Sequence, residues 1–316
     1  MESILMPESK ISAAKISIDG QTLREILILH AAWLAGQGGE RANIRGGTLA
    51  DAELKGADFR NAVLTDITFL DANLSYVEFG GAHLHKCDFR NATLSRADFS
   101  GAVLEQINFQ HCLLAEANLS EARVENSLFR DANLRDCRLY DIRMKSCDFT
   151  NANLRAAYFN HANASECTFT EADMEKCNFL RARLNSCRFV ASNLVDANFA
   201  SVQAADCEFR LAKLNSAKLN MANLVQSSFC GAIMSGCDLR ESNLSTADFS
   251  GAMLLDSNFR EANVLATDFR GSVLEGSRGL TGRQLSKSLT SYSTVLPSGM
   301  RGPFIQGKYS ELPLFH

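Results

Sequence analysis

The sequence predicts an all-β solenoid built on a five-residue repeat, and three observations carry that prediction. The first is register. Every fifth residue from Ile44 to Leu274 gives 47 positions, of which 21 are Leu and 18 are Phe. The other eight are Ile44, Met144, Met174, Met234, Val124, Val264, Ala164 and Ala204, and no charge or insertion breaks the series. The second is the residue two places before each centre, which is Ala at 25 sites, Cys at nine and Ser at six. The third is that no proline falls between Pro7 and Pro297, which suits one uninterrupted structure.

A period of five fits neither standard element. On a helix five residues advance about 500°, so the centres would spiral around the axis. On a strand an odd period sends successive centres to opposite faces. The chain must therefore turn a corner every five residues. Nine of the eleven glycines within the repeat lie two residues after a centre, where a corner exploits their tolerance of positive φ. Asn or Asp immediately precedes the centre at 22 of the 47 sites, giving the consensus A-[DN]-[LF]-x-x. A longer period of twenty is also visible. Phe69, Phe89, Phe109, Phe129, Phe149, Phe169, Phe189, Phe209, Phe229, Phe249 and Phe269 form an unbroken set and are the expected structural core. Cys147, Cys167, Cys187 and Cys207 repeat at the same interval. This suggests a coil of four five-residue sides, with a tenfold repeat as the alternative.

Segments such as Ala57-Asp58-Phe59, Ala72-Asn73-Leu74, Ala152-Asn153-Leu154 and Ala247-Asp248-Phe249 resemble the pentapeptide-repeat family. The resemblance implies a right-handed quadrilateral β-helix with the centre and the preceding small residue pointing inward. At ~4.8 Å between stacked backbones, about twelve coils would make a rod of roughly 55 Å. Each fully buried Leu or Phe then contributes roughly 1.5–3 kcal/mol before entropy. Ala164 and Ala204 are undersized centres, expected to leave slack or draw neighbours inward.

The ends of an open solenoid expose unpaired edges, so terminal elements should differ from the repeat. Residues 1–40 read as an N-terminal segment with a capping helix over about 21–35, apolar on the stripe Leu23, Ile26, Leu27, His30 and Leu34, and ended by Gly36, Gly38 and Gly39. Residues 41–276 are the solenoid. Residues 277–316 read as a C-terminal cap and irregular tail, with Thr281 able to N-cap a helix reaching Leu289. The tail from Pro297 is expected to lie back on Ile233, Met253 and Val273.

The chemistry-bearing residues read as structural. Nine of the ten cysteines occupy the small inward position, where Cys acts as a slightly larger Ala, and only Cys230 points outward. No C-x-x-C pair is present, and stacked thiols ~4.8 Å apart exceed disulfide reach, so free thiols are expected. His83 and His85 flank Leu84 and should face solvent, without further ligands at hand. No nucleophile motif, phosphate loop or metal-hydrolase helix occurs. The reading is a non-enzyme with no catalytic residue, cofactor or metal.

The outer surface is left to act, through contact with another protein or by self-association as a homodimer. Residues 41–276 hold 30 Asp+Glu and 24 Lys+Arg, a net of −6. A rod of ~55 Å imitating DNA would need about thirty negative charges. Residues 121–200 carry eleven charges of each sign, and Arg123, Arg143, Lys145 and Arg183 form a basic ridge on one side. Leu180, Val190, Val195, Leu211, Met221 and Val225 occupy nominally outward positions and are the candidate apolar interaction surface. The family resemblance leaves two alternatives open, a DNA-mimic-like protein acting on a type II topoisomerase and a secretion-system effector or accessory protein. Direct nucleic-acid binding is not expected at a net charge of −4. The longest apolar run, Ile26 to Ala35, is too short to span a bilayer, and nothing resembling a signal peptide opens the sequence. A cytoplasmic location is the expectation, with non-classical secretion open.

Overall fold

The computed structural model describes residues 11–12, 17–18 and 20–304. The N-terminal segment holds β1 (Ile11–Ser12), then β2 (Ser17–Ile18) paired antiparallel with β3 (Gln21–Thr22), then α1 (Leu23–Leu34). The solenoid opens with β4 (Asn43–Arg45) and β5 (Ala52–Glu53), the latter joined in parallel by β1 at the end of the rod. From there pairing steps by twenty residues, as Ile44 opposes Leu64 and Leu64 opposes Leu84. The coil therefore has four five-residue sides, which excludes the tenfold alternative. We number the sides by their inward centres. Side 1 carries 44, 64 and onward; side 2, 49 and 69; side 3, 54 and 74; side 4, 59 and 79. On side 1, β4 continues into β6 (Val63–Thr65), β7 (His83–His85), β8 (Val103–Glu105), β9 (Arg123–Glu125), β10 (Arg143–Lys145), β11 (Asn163–Ser165) and β12 (Arg183–Asn185), an eight-stranded parallel stack. Single parallel bridges hold the other sides and carry side 1 on through Asn263.

The corners explain the period of five. Every residue two places after a centre, from Gly46 to Gly276, has positive φ; nine are Gly and 38 are not. A non-glycine residue in this region costs roughly 1–2 kcal/mol. Stacking over-determines it here. The Asp71 N–H donates to the Arg90 carbonyl of the next coil at 3.1 Å, and the Ala72 N–H closes the turn on the Phe69 carbonyl at 3.1 Å. The Asn/Asp preference has an equally local cause. In 19 of the 22 cases the side-chain oxygen accepts the N–H two residues on, as Asn73 does from Ser75 at 3.2 Å. The three exceptions, Asn43, Asn163 and Asn223, all lie on side 1.

Inside, the eleven phenylalanines of side 2 form one stack, with ring centroids 4.5–5.6 Å apart from Phe69 to Phe269. The rings of side 4 meet them edge-on, as Phe179 meets Phe189 at 6.1 Å and 89°. Leu119, Leu139, Leu219 and Leu239 interrupt only this second ladder.

Side 1 is irregular at the corner that leaves it. Corners leaving sides 2, 3 and 4 are closed by a backbone bond from the small residue to the preceding centre, but the corner leaving side 1 lacks it from Ile44 to Ala204. Side chains from the next coil fill the gap. Ser227 Oγ donates to the Ala204 carbonyl at 2.7 Å and accepts the Cys207 N–H at 3.3 Å. Ser127 Oγ accepts the Ile107 N–H at 3.0 Å, and Cys147 and Cys207 Sγ donate to the Val124 and Leu184 carbonyls at 3.4 and 3.3 Å. From Ser227 onward the backbone bond returns, with Ser227 N–H on Leu224 at 3.2 Å. Replacing Ser227 by alanine should orphan both Cys207 N–H and Ala204 C=O and cost about 1–2 kcal/mol. A denaturation midpoint unchanged in Ser227→Ala would refute the bridging role.

All ten cysteines are free, nine of them buried and Cys230 half-buried. Burial pushes the thiols of Cys87 and Cys237 up to about 12, so these groups stay protonated and unreactive.

Both ends are capped. Helix α1 begins in a reciprocal capping box between Thr22 and Glu25, two residues inside the expected start because Gln21–Thr22 is committed to a strand. It ends at Leu34 with Ala35 as its C-cap, Gly36 follows at positive φ, and Gly39 is irreplaceable just beyond. A Cβ on Gly39 would strike the Leu29 carbonyl oxygen and sit 2.9 Å from Ala32 Cβ. His30, fully buried, pins the helix to the rod: its Nδ1 accepts the Ala42 N–H and its Nε2–H donates to the Arg60 carbonyl, both at 3.0 Å. Desolvation holds the imidazole below its ordinary pKa. The unfolded chain therefore takes up the proton first, and the cap should weaken as pH falls below about 6.5. His30→Ala should remove that pH dependence and cost the cap about 2 kcal/mol, read as faster hydrogen exchange at the Ala42 amide.

At the far end the register slips, first by one residue and then by two. Leu280 and Leu285 are buried one place later than the repeat demands. Helix α2 is only Gly282–Leu285, capped by Thr281 and Gln284, and does not reach Leu289. Leu289 is needed elsewhere, as a parallel rung on Asp268, just as Val295 pairs with Val273. The tail then turns antiparallel at Arg301 and packs Phe304 at the end of the rod. Through Phe304 it crosses the end instead of lying back on Ile233 and Met253. The rest of the tail, 305–316, lies outside the described residues.

Candidate interaction surface

Outward positions on each side are the residues flanking the centre and the corner residue that follows. The twenty-residue register then assigns every surface residue to a side. The six candidate apolar residues fall on all four sides: Leu180 on side 4, Val190 on side 2, Val195 on side 3 and Val225 on side 1, with Leu211 and Met221 at corners. Only Leu211 and Met221 are more than half exposed, at 58% and 55%. Leu211 lies against the backbone of Gly231, where a Cβ would meet its Cδ2 at 2.9 Å. The structure brings no three of the six together on one side.

The basic residues behave differently. Arg123, Arg143 and Arg183 share one column of side 1, where Arg123 opposes Arg143, and Asn163 separates Arg143 from Arg183. Lys145 lies in the parallel column of the same side, opposite Glu125 and Ser165. Arg123 is tied to Glu125 at 2.8 Å, while Arg143, Lys145 and Arg183 make no ion pair among the described residues. A shallow open depression of about 250 Å³ lies here, lined by Arg123, Glu125, Arg143, Met144, Lys145, Asn163 and Ser165. It adjoins the undersized centre Ala164.

The comparisons with known proteins bear on the scaffold. The model of the pentapeptide repeat region matches residues 42–119, 82–146 and 142–219, and that of pentapeptide repeats in eight copies matches 207–245, 222–254 and 232–276. The chain belongs to the pentapeptide-repeat family. Among solved structures it is similar to HetL, a pentapeptide repeat protein involved in heterocyst differentiation regulation from the cyanobacterium Nostoc, at 24% identity over 86% of this chain and 96% of that one, with a TM-score of 0.29. A trypsin-treated variant of QnrB1, a plasmid-mediated fluoroquinolone resistance protein, matches at 24% over 59% and 87%, with a TM-score of 0.31. A pentapeptide repeat protein of the Arabidopsis thaliana thylakoid lumen matches at 22% over 30% and 67%, with a TM-score of 0.30. No curated protein sequence is significantly similar to the chain.

About half of the charges on the solenoid of this pentapeptide-repeat protein are paired internally. Asp and Arg flanking one centre form pairs within a side, as Asp58–Arg60, Asp88–Arg90 and Asp238–Arg240 do at 2.6 Å. The Arg60 guanidinium holds the Asp58 carboxyl below the usual carboxylate range. Side 2 is acidic by count, yet Asp88, Asp148, Glu208 and Asp268 each contact an arginine within 3.2 Å. His83 and His85 project outward from side 1, with His85 3.6 Å from Glu105. Among the described residues no cluster of three or more His, Cys, Asp or Glu is arranged to hold a metal ion, and no helix is long and apolar enough to cross a membrane.

Two features of side 4 escaped the sequence reading. Tyr140 and Tyr158 stack with centroids 5.6 Å apart, and Tyr158 is 39% exposed. Asn160, between Tyr140 and Leu180 in one column, has a buried Oδ1 without a hydrogen-bond partner. The signal that locates them is the offset of twenty, applied to Tyr140, Asn160 and Leu180 rather than to the centres alone.

Proposed function

We propose that this protein is a non-enzymatic scaffold acting by contact of its outer sides with another protein. The observation that carries the reading is the division of labour in the repeat. Two of every five positions are spent on a continuous buried core, so all remaining chemistry is displayed on flat outer sides around a rigid rod. Such a surface offers positioned side chains and no enclosed site for a reaction. The DNA-mimic alternative is less well supported, because even the most acidic side sets five arginines among its nine carboxylates, and four of those carboxylates are paired with them. No surface feature favours the secretion-linked alternative.

The test is site-specific photo-crosslinking in the native cell, with benzoylphenylalanine placed singly at Tyr158, Val190, Val195 and Asn185, one position per side. One discrete adduct confined to one or two neighbouring sides supports the reading. An absence of adducts from all four sides would sink it.

A further inference from the structure

The electrical neutrality of the middle coils conceals a division between two halves of the rod. In the three coils spanning residues 138–196, sides 4 and 1 carry five cations against two anions, Asp141 and Glu166. Sides 2 and 3 of those coils carry three cations against five anions. Pairing is just as uneven. On sides 2 and 3 every cation is engaged: Arg155 with Asp173 and Glu175, Lys176 with Glu175, and Arg188 with Glu208. On sides 4 and 1, none of Arg138, Arg143, Lys145, Arg181 and Arg183 has an ion pair among the described residues.

These cations surround an apolar and aromatic strip. Arg138 is directly opposite Tyr158 in the next coil, and Tyr158 stacks on Tyr140. Leu180 lies two coils on in the column of Tyr140, with Asn160 between them. Sides 4 and 1 meet at the corner bearing Arg181, so the tyrosine strip and the depression beneath Arg143 and Lys145 belong to adjoining surfaces. Tyr and Arg are the residues that most often dominate binding energy at protein interfaces. Unpaired cations also lose no internal partner when they meet an external carboxylate.

We propose that sides 4 and 1 over residues 138–186 form the docking surface for an acidic protein segment, its carboxylates on the five free cations and its apolar side chains on the Tyr140–Tyr158 pair. This rests on the protein-contact reading above and names the chemistry of the partner. A protein segment is favoured over nucleic acid because Asp141 and Glu166 stand within the patch: a segment can set a neutral or basic side chain against each, whereas a phosphate backbone carries its negative charge at every step.

The experiment measures fluorescence anisotropy of a fluorescein-labelled peptide of alternating glutamate and phenylalanine with the full chain. Single-stranded oligothymidylate of matched charge is the competing probe. The peptide should bind, with affinity falling steeply as salt rises. Arg143→Glu with Lys145→Glu should weaken binding at least about tenfold, and Tyr158→Ser should weaken it without changing the salt slope. Arg155→Glu with Lys176→Glu, on the opposite half, should leave it unchanged. Equal losses from both double variants, or no binding at all, overturn the proposal. Tighter binding of oligothymidylate overturns the protein class of the partner. Crosslinks arising only from Val190 or Val195 would leave the scaffold reading standing and remove this surface from it.

Discussion

Phe169→Ala should destabilise the rod by about 3–5 kcal/mol, the range for emptying a fully buried aromatic site. Phe169 is wholly enclosed and touches four other rings. It stacks on Phe149 and Phe189 at 5.0 and 4.9 Å, and meets Phe159 and Phe179 edge-on at 6.2 and 6.4 Å. Its place in the middle makes the consequence more than a lower midpoint. In a solenoid each coil is coupled only to its neighbours, so a defect of this size at one rung weakens the link between the two ends. Trp33, the single tryptophan, sits on α1 and reports only the N-terminal end, whereas circular dichroism reports the whole rod. In the parent protein the two denaturation curves should coincide, and in Phe169→Ala they should separate. Coincident curves, or a loss below about 1 kcal/mol, would mean that the core reorganises around the void. Phe169→Leu should cost much less, because Leu119 and Leu139 already fill equivalent inward positions on side 4.

The core was legible because it obeys a single rule that no other structure satisfies: an apolar centre every fifth residue, without exception from Ile44 to Leu274. The corner position was legible from nine glycines, but the conformation of the other 38 corner residues was not. Asn, Glu, Arg, Leu and Met all adopt the same positive φ there, since stacking rather than residue type enforces it. The surface was half legible. A step of twenty along the sequence puts Arg123, Arg143 and Arg183 in one column, the column in which the strands of side 1 pair. Proximity along the chain misled in the case of Leu180 to Val225, because five residues carry the chain around a corner and a run of 46 positions visits every side more than once. Arg138 and Arg181 were missed for the converse reason. They belong to the next side, so no column of the repeat links them to the ridge they adjoin. Net neutrality over residues 121–200 was a true sum and a poor guide, because charge in a rod is sorted by side before it is sorted by length.

Gly279→Ala should detach the C-terminal cap, at a cost of about 3 kcal/mol from overpacking and backbone strain together. Gly279 stands where the next centre of the repeat would fall, five residues after Leu274, and its φ of +77° turns the chain so that Leu280 enters the core one residue late. A Cβ at this position would collide with the Arg260 nitrogen and lie 2.5 Å from Arg260 Cα and 2.9 Å from the Phe259 carbonyl carbon. All three are backbone atoms, held by the Phe259 N–H bond to Arg278 and unable to give way as a side chain would. Gly251→Ala supplies the control. Its φ of +65° is of the same class and nothing stands within 4 Å of the added Cβ, so only strain is introduced. The 38 non-glycine corners show that the fold tolerates that strain, so this variant should behave like the parent. In Gly279→Ala the rod itself should persist, with a denaturation midpoint near that of the parent by circular dichroism. Protease should cut rapidly between Leu280 and Phe304, and light scattering should reveal end-to-end association, since the last coil would present unpaired backbone and the ends of its Phe and Leu ladders to solvent. Equal protection of residues 280–304 in both alanine variants would show that the close approach at Arg260 is not what holds the cap.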